Sequence, residues 1–125
     1  MERTVRIAAP EGELDISTIE GVDRLLQDVP ADDHLVIDLG RVSFVDSVTL
    51  SRFVRAARRH QAAGSHVILA DARGAVRRVL SITQLDAVLP YADDVTAARR
   101  LAGTLEQGSA PDPTGPDPPP ASDLL

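Results

Sequence analysis

Two kinds of hydrophobic spacing alternate along the first hundred residues. Residues 4–8 (TVRIA) alternate apolar and polar side chains, which is typical of a half-buried strand. Residues 16–29 instead repeat apolar side chains at helical spacing, and Ser17-Thr18-Ile19-Glu20 near their start matches a capping box. A strand followed by a core-facing helix is therefore expected. The predicted inward-facing residues of this helix are Ile16, Ile19, Val22, Leu25, Leu26 and Val29.

The next unit repeats the same order. Residues 34–40 (HLVIDLG) predict a short buried strand, and the apolar character continues through Val42, Phe44 and Val45 to a break at Asp46-Ser47. A helix is expected to begin at this break and to end at Gly64. Its predicted core face contains Leu50, Phe53, Val54 and Ala57, and its opposite face contains Arg52, Arg55 and Arg59.

Two further units complete the pattern. Residues 65–72 (SHVILADA) predict a second buried strand, followed by a helix with Val76, Val79 and Leu80 inward. A last short strand is expected near residues 87–91, and an amphipathic helix is expected to begin at Asp93 or Asp94. Strands separated by helices imply crossover connections, so the sequence predicts an α/β fold with a mainly parallel sheet.

The end of the chain has a different composition. From Gly108 onwards the sequence contains six of the nine prolines and almost no apolar side chain before Leu124. Such a segment buries too little surface to offset its ordering entropy, so it is expected to be disordered. We therefore predict one domain over residues 1–107 and a Pro-rich tail over residues 108–125.

Composition excludes several classes of function. The net charge of −6 and an aromatic content of 2% argue against nucleic-acid binding and against binding to anionic lipid. No stretch is long and apolar enough for a membrane span, and the first residues lack a signal-peptide h-region. With no cysteine, the chain has no disulfide and no Cys-based metal site. A cytoplasmic protein without a cofactor is expected.

Catalytic machinery is not evident in the sequence. The strand-to-helix junctions lack the glycine pattern of a phosphate-binding loop, and Val45–Thr49 lacks the glycines of a nucleophile elbow. The three histidines have no metal-ligand spacing and are expected at the surface or at strand starts. The sequence therefore favours a binding protein over an enzyme. The histidines concerned are His34, His60 and His66.

The Asp46-Ser47 pair allows two interpretations. Either residue is a good helix N-cap, which would be a purely structural role. A hydroxyl at a helix start is also a tolerant site for phosphorylation, because the helix amides and macrodipole face the added charge of about −2. The two roles are compatible, and the residue pattern does not choose between them.

At this point the sequence resembles the STAS domain of bacterial anti-sigma factor antagonists. The resemblance lies in GELD at residues 12–15, HLVIDLGRVSFVDSVTL at residues 34–50 and AAGSHVILADARGAVRRVLSITQLDAVLPYADDVTAA at residues 62–98. It covers residues 4 to about 102, and its most specific part is F-x-D-S before a helix, followed by G-x-x-V-x-L at residues 64–69. The resemblance implies a mainly parallel sheet of four to five strands with four helices.

The resemblance also implies a role in partner switching. An unmodified antagonist binds an anti-sigma factor that is also a serine kinase and thereby frees a sigma factor. The kinase, which binds the ATP, phosphorylates the serine after the Asp, here Ser47, and a phosphatase reverses the modification. The implied contact surface comprises the GELD turn, the Asp46-Ser47 junction and the first turn of the next helix. The predicted partner-binding residues are Gly12, Glu13, Asp15, Asp46, Ser47, Val48, Thr49 and Arg52.

Two departures from the family pattern keep an alternative open. The usual string D-S-[ST]-G-L reads Asp46-Ser47-Val48-Thr49-Leu50 here, which makes the helix start bulkier. Members also usually have a strand before the one that leads into GELD, whereas only residues 1–3 precede that strand here, so the sheet edge is expected to be shorter or differently paired. STAS domains also serve as non-phosphorylated scaffolds in stress complexes and lipid-transport assemblies, so a constitutive interaction module is the second hypothesis.

Overall fold

The computed structural model describes the backbone of residues 3–109 and the side chains of residues 3–106. It confirms the α/β fold and the alternation of strands and helices. The strands are β1 (Val5–Ala8), β2 (Gly12–Leu14), β3 (His34–Asp38), β4 (Val42–Val45), β5 (Val67–Ala70) and β6 (Tyr91–Ala92). The helices are α1 (Ile19–Gln27), α2 (Ser47–Ala62), α3 (Gly74–Ile82), α4 (Leu85–Val88) and α5 (Val95–Ser109).

The main sheet has four parallel strands in the order β1-β3-β5-β6. β3 pairs with β1 on one side (Val5 opposite His34) and with β5 on the other (Leu35 opposite Val67). A separate parallel pair, β2 with β4, sets Leu14 beside Val45. Each crossover returns the chain to the same end of the sheet. All four strands of the main sheet therefore have their amino ends on one side of the molecule and their carboxyl ends on the opposite side.

Helices cover both faces of the main sheet, which explains why its central strands are apolar throughout. Leu35 and Ile37 of β3 belong to a core that also contains α1, α2 and α3, with Phe53 of α2 fully buried. Val36 of β3 and Ile68 of β5 face the other way, into a smaller cluster under α5. Alternate residues of one strand thus enter two different cores.

The bounds of several elements differ from the sequence prediction. The apolar run after residue 40 is a separate strand, β4, rather than a continuation of β3. There are five helices in the described part of the chain instead of four, because the left-handed conformation of Gln84 ends the α3 region and begins the short helix α4. Ala87, predicted to start the last strand, therefore lies in α4, and the strand is Tyr91–Ala92.

The predicted capping box of α1 is wrong. Helix α1 begins at Ile19, and its N-cap residue Thr18 makes no side-chain cap. The Thr18 hydroxyl accepts a hydrogen bond from the Asp15 amide at 3.0 Å instead. The hydroxyl is used by the turn that precedes the helix, which is a common competitor of capping for Ser and Thr side chains.

The last helix begins as predicted, and its end reaches the boundary of the described region. The Asp94 carboxylate accepts a hydrogen bond from the Ala97 amide at 2.7 Å, so Asp94 rather than Asp93 caps α5. α5 continues to Ser109. The remainder of the predicted Pro-rich tail, residues 110–125, lies outside the described residues.

Buried polar side chains surround the end of α2. His60 is fully buried, so the expectation of a surface histidine is wrong for this residue. Its Nδ1 lies 2.7 Å from the Asp33 carbonyl oxygen and 3.0 Å from Ser65 Oγ, and the Ser65 hydroxyl donates to the Ala31 carbonyl. Arg59 donates to the carbonyls of Leu26 and Val29 at the end of α1, both at 3.0 Å. These bonds tie α2 to the start of β3.

His34, at the start of β3, is also buried. Its Nδ1 accepts a hydrogen bond from the His66 amide at 3.1 Å, and its Nε2 lies 3.0 Å from a carboxylate oxygen of Glu106. Because Nδ1 accepts, the proton of the neutral ring is on Nε2 and points to the carboxylate. The His34 and His66 rings stack with centroids 5.6 Å apart. The histidine is thus at a strand start, as predicted, and its burial is matched by partners for both nitrogens.

Candidate functional site at the start of α2

Asp46 fixes the junction between β4 and α2. Its backbone is extended (φ −103°, ψ 177°), and its Oδ1 accepts a hydrogen bond from the Thr49 amide at 2.9 Å. Its Oδ2 accepts a second bond, from the Ile16 amide in the turn after β2, at 3.1 Å. The Asp46 amide also donates to the Leu14 carbonyl. One carboxylate therefore caps the helix and holds the β2–α1 turn against it.

The charge of Asp46 is stabilised by this geometry. The Thr49 amide lowers the pKa of the Asp46 carboxyl below its ordinary value, with further help from the Ile16 amide. Two backbone donors and the positive end of the helix favour the ionised form. The helix start therefore presents a fixed negative charge at neutral pH.

Ser47 is the first residue of α2 and is exposed. The cap is supplied by Asp46, and the Ser47 hydroxyl makes no hydrogen bond to any residue in the described range 3–109. The two roles left open by the sequence are thus divided between neighbours: Asp46 is the structural residue, and the Ser47 hydroxyl is left accessible.

The two residues that depart from the family pattern lie differently. Val48 is half-buried, whereas Thr49 is completely buried under the first turn. The bulk of Thr49 therefore points into the core and does not cover Ser47. The Thr49 hydroxyl helps to lower the pKa of the Asp46 carboxyl, but it has no hydrogen-bond partner among residues 3–109.

The GELD segment, predicted as a turn, forms strand β2 (Gly12–Leu14), and the end of this strand lies beside the junction. Gly12 has φ +80°, a left-handed conformation that favours glycine, and its amide donates to the Arg41 carbonyl at 2.9 Å. Glu13 is exposed on β2 opposite Phe44 of β4. The Asp15 carboxylate accepts from both the amide and the hydroxyl of Ser17, at 2.9 and 2.6 Å. The sheet pairing therefore brings the predicted residues of β2 next to those of the α2 start.

Arg52 lies slightly apart from the other predicted residues. Its guanidinium forms an ion pair with Asp23 of α1, and both side chains are about one-quarter exposed. This pair turns Arg52 towards the groove between α1 and α2. Gly12 lies beside Val42 at the far end of β4, and Thr49 is fully buried. Five of the eight predicted partner-binding residues thus lie exposed or half-buried around the junction, and Arg52 marks its margin.

Two exposed apolar residues of this surface were not predicted from the sequence pattern. Ile16 was expected in the core face of α1, but it precedes the helix and is 67% exposed. Phe44 was read only as part of a buried run, but it is 49% exposed. Large exposed apolar side chains that lie near one another mark interaction surfaces. Strict alternation would place Phe44 on the same face as the buried Val42, whereas Ser43 and Phe44 are both exposed, so the local pattern gave no signal for Phe44.

The geometry at this site is that of a binding surface. Exposed acidic and apolar side chains surround the exposed hydroxyl of Ser47. Within residues 3–109, no group of three His, Cys, Asp or Glu side chains is placed to hold a metal ion. No helix among those residues has the length and apolar character needed to cross a membrane.

The chain is similar to a known protein family. The family described as the STAS domain matches residues 2–98 of the chain. The comparison with curated protein sequences found no match.

Similar solved structures include proteins of two kinds. An anti-sigma factor antagonist from Mycobacterium paratuberculosis is 27% identical, with a TM-score of 0.69 over 78% of this chain and 84% of that chain. The anti-sigma factor antagonist SpoIIAA in its unphosphorylated form is 21% identical, with a TM-score of 0.62 over 82% and 92%. The STAS domain of a SulP transporter from Vibrio cholerae is 18% identical, with a TM-score of 0.60 over 89% and 88%. The last two likenesses concern the fold alone.

Proposed function

The chain belongs to the STAS domain family, and from this membership we propose that it is an anti-sigma factor antagonist controlled by phosphorylation of Ser47. The observation that carries the proposal is the exposed, unpaired hydroxyl of Ser47 beside a cap formed by Asp46. The unmodified protein binds an anti-sigma factor that is also a serine kinase, and so releases a sigma factor in the cytoplasm. The chain is a ligand and a substrate in this cycle, not a catalyst.

Phosphorylation acts here through local charge. A phosphate on Ser47 adds about −2 next to the ionised Asp46 and close to Glu13 and Asp15. The amides of the first turn accommodate this charge, so the fold is retained. A partner surface that tolerated the unmodified junction meets like-charge repulsion and a desolvation cost instead. A phosphatase that removes the phosphate restores binding.

The first test is site-specific phosphorylation. The protein is incubated with its cognate kinase and ATP, and its intact mass is measured. Ser47→Ala should receive no phosphate, whereas the wild-type protein receives one. Ser51→Ala is the matched control, because Ser51 is the next exposed serine of α2 and its hydroxyl donates to the Val48 carbonyl at 2.6 Å. Labelling of Ser47→Ala at the wild-type level would remove Ser47 as the site.

A constitutive interaction module is the second candidate. The specific observations in its favour are the likeness to the SulP transporter STAS domain and the half-buried Val48 in place of a smaller residue beside Ser47. This candidate predicts that a folded Ser47→Asp protein retains its partner, because nothing at the junction is switched. Loss of binding by that variant would count against it.

A further inference from the structure

A row of cations lies along α2, on a chain with a net charge of −6. Arg52, Arg55 and Arg59 recur at helical spacing and line a groove of about 110 Å³ between α1 and α2. Leu26 and Ala56 contribute apolar surface to the groove. The combination is suited to an acidic segment that also brings some apolar surface.

The arginines of this groove differ in how far their charge is neutralised. Arg52 forms its ion pair with Asp23, which is the only carboxylate among the residues that line the groove. Arg59 uses its guanidinium on two backbone carbonyls, which carry no net charge. Arg55 is exposed and makes no hydrogen bond or ion pair with the part of the chain described, residues 3–109. The groove therefore has an excess of positive charge centred on Arg55.

Acidic side chains also occur next to this groove on α1. Glu20 and Asp28 lie with Arg24 along a neighbouring depression, which shares Asp23 and Gln27 with the groove. They lower the overall charge of the α1 surface, but they do not line the groove. The excess of positive charge is consequently local, and it acts over about one Debye length, roughly 8 Å at physiological salt.

Residues 110–125 have the complementary composition. They contain three aspartates, no Arg, Lys or His, and six prolines. Proline has a fixed φ, so Pro-rich sequences in general lose less backbone entropy on binding than other sequences do. They follow α5 directly, so their point of attachment is fixed by Ser109.

The end of α5, to which residues 110–125 are attached, lies near the end of α2. Glu106 of α5 contacts His34 at the start of β3, and His60, next to Arg59, contacts the Asp33 carbonyl at the same place. Sixteen residues at about 3.1 Å each span roughly 50 Å, which is ample to pass around a sheet that is about 10 Å from its covering layer. By the same measure Asp117 and Asp123 have a reach from Ser109 of roughly 25 and 43 Å, against roughly 9 Å for Asp112, so the two later aspartates are the better candidates.

We propose that residues 110–125 dock on their own domain, with the carboxylate of Asp117 or Asp123 bound by Arg55 in the α1–α2 groove. A groove of this size admits one side chain at a time, so the two aspartates exchange in it. Tethering supplies an effective concentration on the order of millimolar, which makes a contact of millimolar affinity well populated. The contact does not depend on phosphorylation of Ser47, so failure of one proposal does not affect the other.

Paramagnetic relaxation enhancement in the full chain tests this contact. The chain has no cysteine, so Ala121→Cys provides a unique position for a spin label between the two aspartates. At low salt, the amide signals of residues 52–59 and 23–27 should be broadened by the label. Arg55→Glu should abolish that broadening, and so should about 0.5 M salt, at which the Debye length is only a few ångströms.

Arg99→Glu is the matched control, since Arg99 is an exposed arginine of α5, outside the groove. It should leave the broadening unchanged. Broadening confined to the end of α5, or insensitive to Arg55→Glu, would overturn the proposal. Broadening seen only when spin-labelled protein is mixed with separate isotope-labelled protein would also overturn it, because the segment would then come from a second copy.

Discussion

The exposure and hydrogen bonding of polar side chains differ between the two ends of α2. At the start, Ser47 is exposed and its hydroxyl is unpaired within residues 3–109, beside a single capping carboxylate. At the end, roughly 20 Å away at 1.5 Å per residue, His60 and Ser65 are fully buried and hydrogen-bonded to loop carbonyls. Residue type alone therefore does not show whether a polar side chain has a functional or a structural role. A polar group that is buried and paired stabilises the fold, and one that is exposed and unpaired is available to another molecule.

The largest effect is expected at the buried end. His60→Ala removes a buried ring together with its hydrogen bonds to the Asp33 carbonyl and to Ser65. We expect a loss of about 3 kcal/mol in the free energy of unfolding, measured with urea. Ser47→Ala is the counterpart at the other end and should stay within about 0.5 kcal/mol of wild type. Equal losses of unfolding free energy in the two variants would contradict the proposed difference between the two ends of α2.

Asp46 is the one residue at the start of α2 that is expected to be structural. Asp46→Ala removes the acceptor of the Thr49 and Ile16 amides. Both amides should exchange their hydrogens at least about tenfold faster, because the helix start and the β2–α1 turn open together. Asp46→Asn should protect the Thr49 amide nearly as well, since Asn is also a good cap. Unchanged exchange in Asp46→Ala would contradict the assigned role.

Removal of a buried hydroxyl should have opposite effects at the two ends. Thr49→Val deletes a hydroxyl that has no hydrogen-bond partner in the described range, so we expect a gain of about 1 kcal/mol in the free energy of unfolding. Ser65→Ala deletes a hydroxyl that donates to the Ala31 carbonyl, so a loss of about 1 kcal/mol is expected. A loss in Thr49→Val would show that its hydroxyl has a partner in solution.

The smallest expected effect is on the pH dependence of stability. Burial lowers the pKa of His60 and of His66 below the ordinary value of 6.5. As pH falls below about 6.5 the unfolded chain takes up protons first, so stability is full above that pH and is lost as pH falls through the lowered folded pKa. The pKa of Asp46 is also lowered, but from 3.8, so its contribution is lost only in more acidic solution.

Urea unfolding at several pH values between about 7.5 and 5 measures this dependence. His60→Gln should flatten the curve in that range, because it removes one of the two shifted groups, while Asp46→Asn should leave its slope unchanged. A curve that is unchanged in His60→Gln would mean that this ring is not protected from protonation.

Sequence reasoning located the start of α2 because its signals are local. An apolar strand, a capping residue and a helical repeat all lie within residues 36–54. The sequence could not show that Asp46 rather than Ser47 is the cap, since both residue types cap helices well. The outward position of Ile16 was missed because its helical spacing matched α1, whereas the preceding turn is held by the distant residue Asp46.

The end of α2 was misjudged for a related reason. The partners of His60 lie at Asp33, twenty-seven positions earlier, and at Ser65, beyond the helix end. The local sequence around His60 does not indicate these contacts. Without known partners, the free-energy cost of burying a polar ring argued against a buried histidine. Only the parallel pairing of the strands brings these segments together.

The most direct test of the central claim is the affinity of the protein for its anti-sigma partner with a charge placed at Ser47. We predict that Ser47→Asp weakens binding at least tenfold, about 1.4 kcal/mol, while Ser51→Asp, one turn further along the exposed side of α2, has a much smaller effect. Both variants should keep the wild-type circular dichroism spectrum. Wild-type affinity in a folded Ser47→Asp protein would contradict the account.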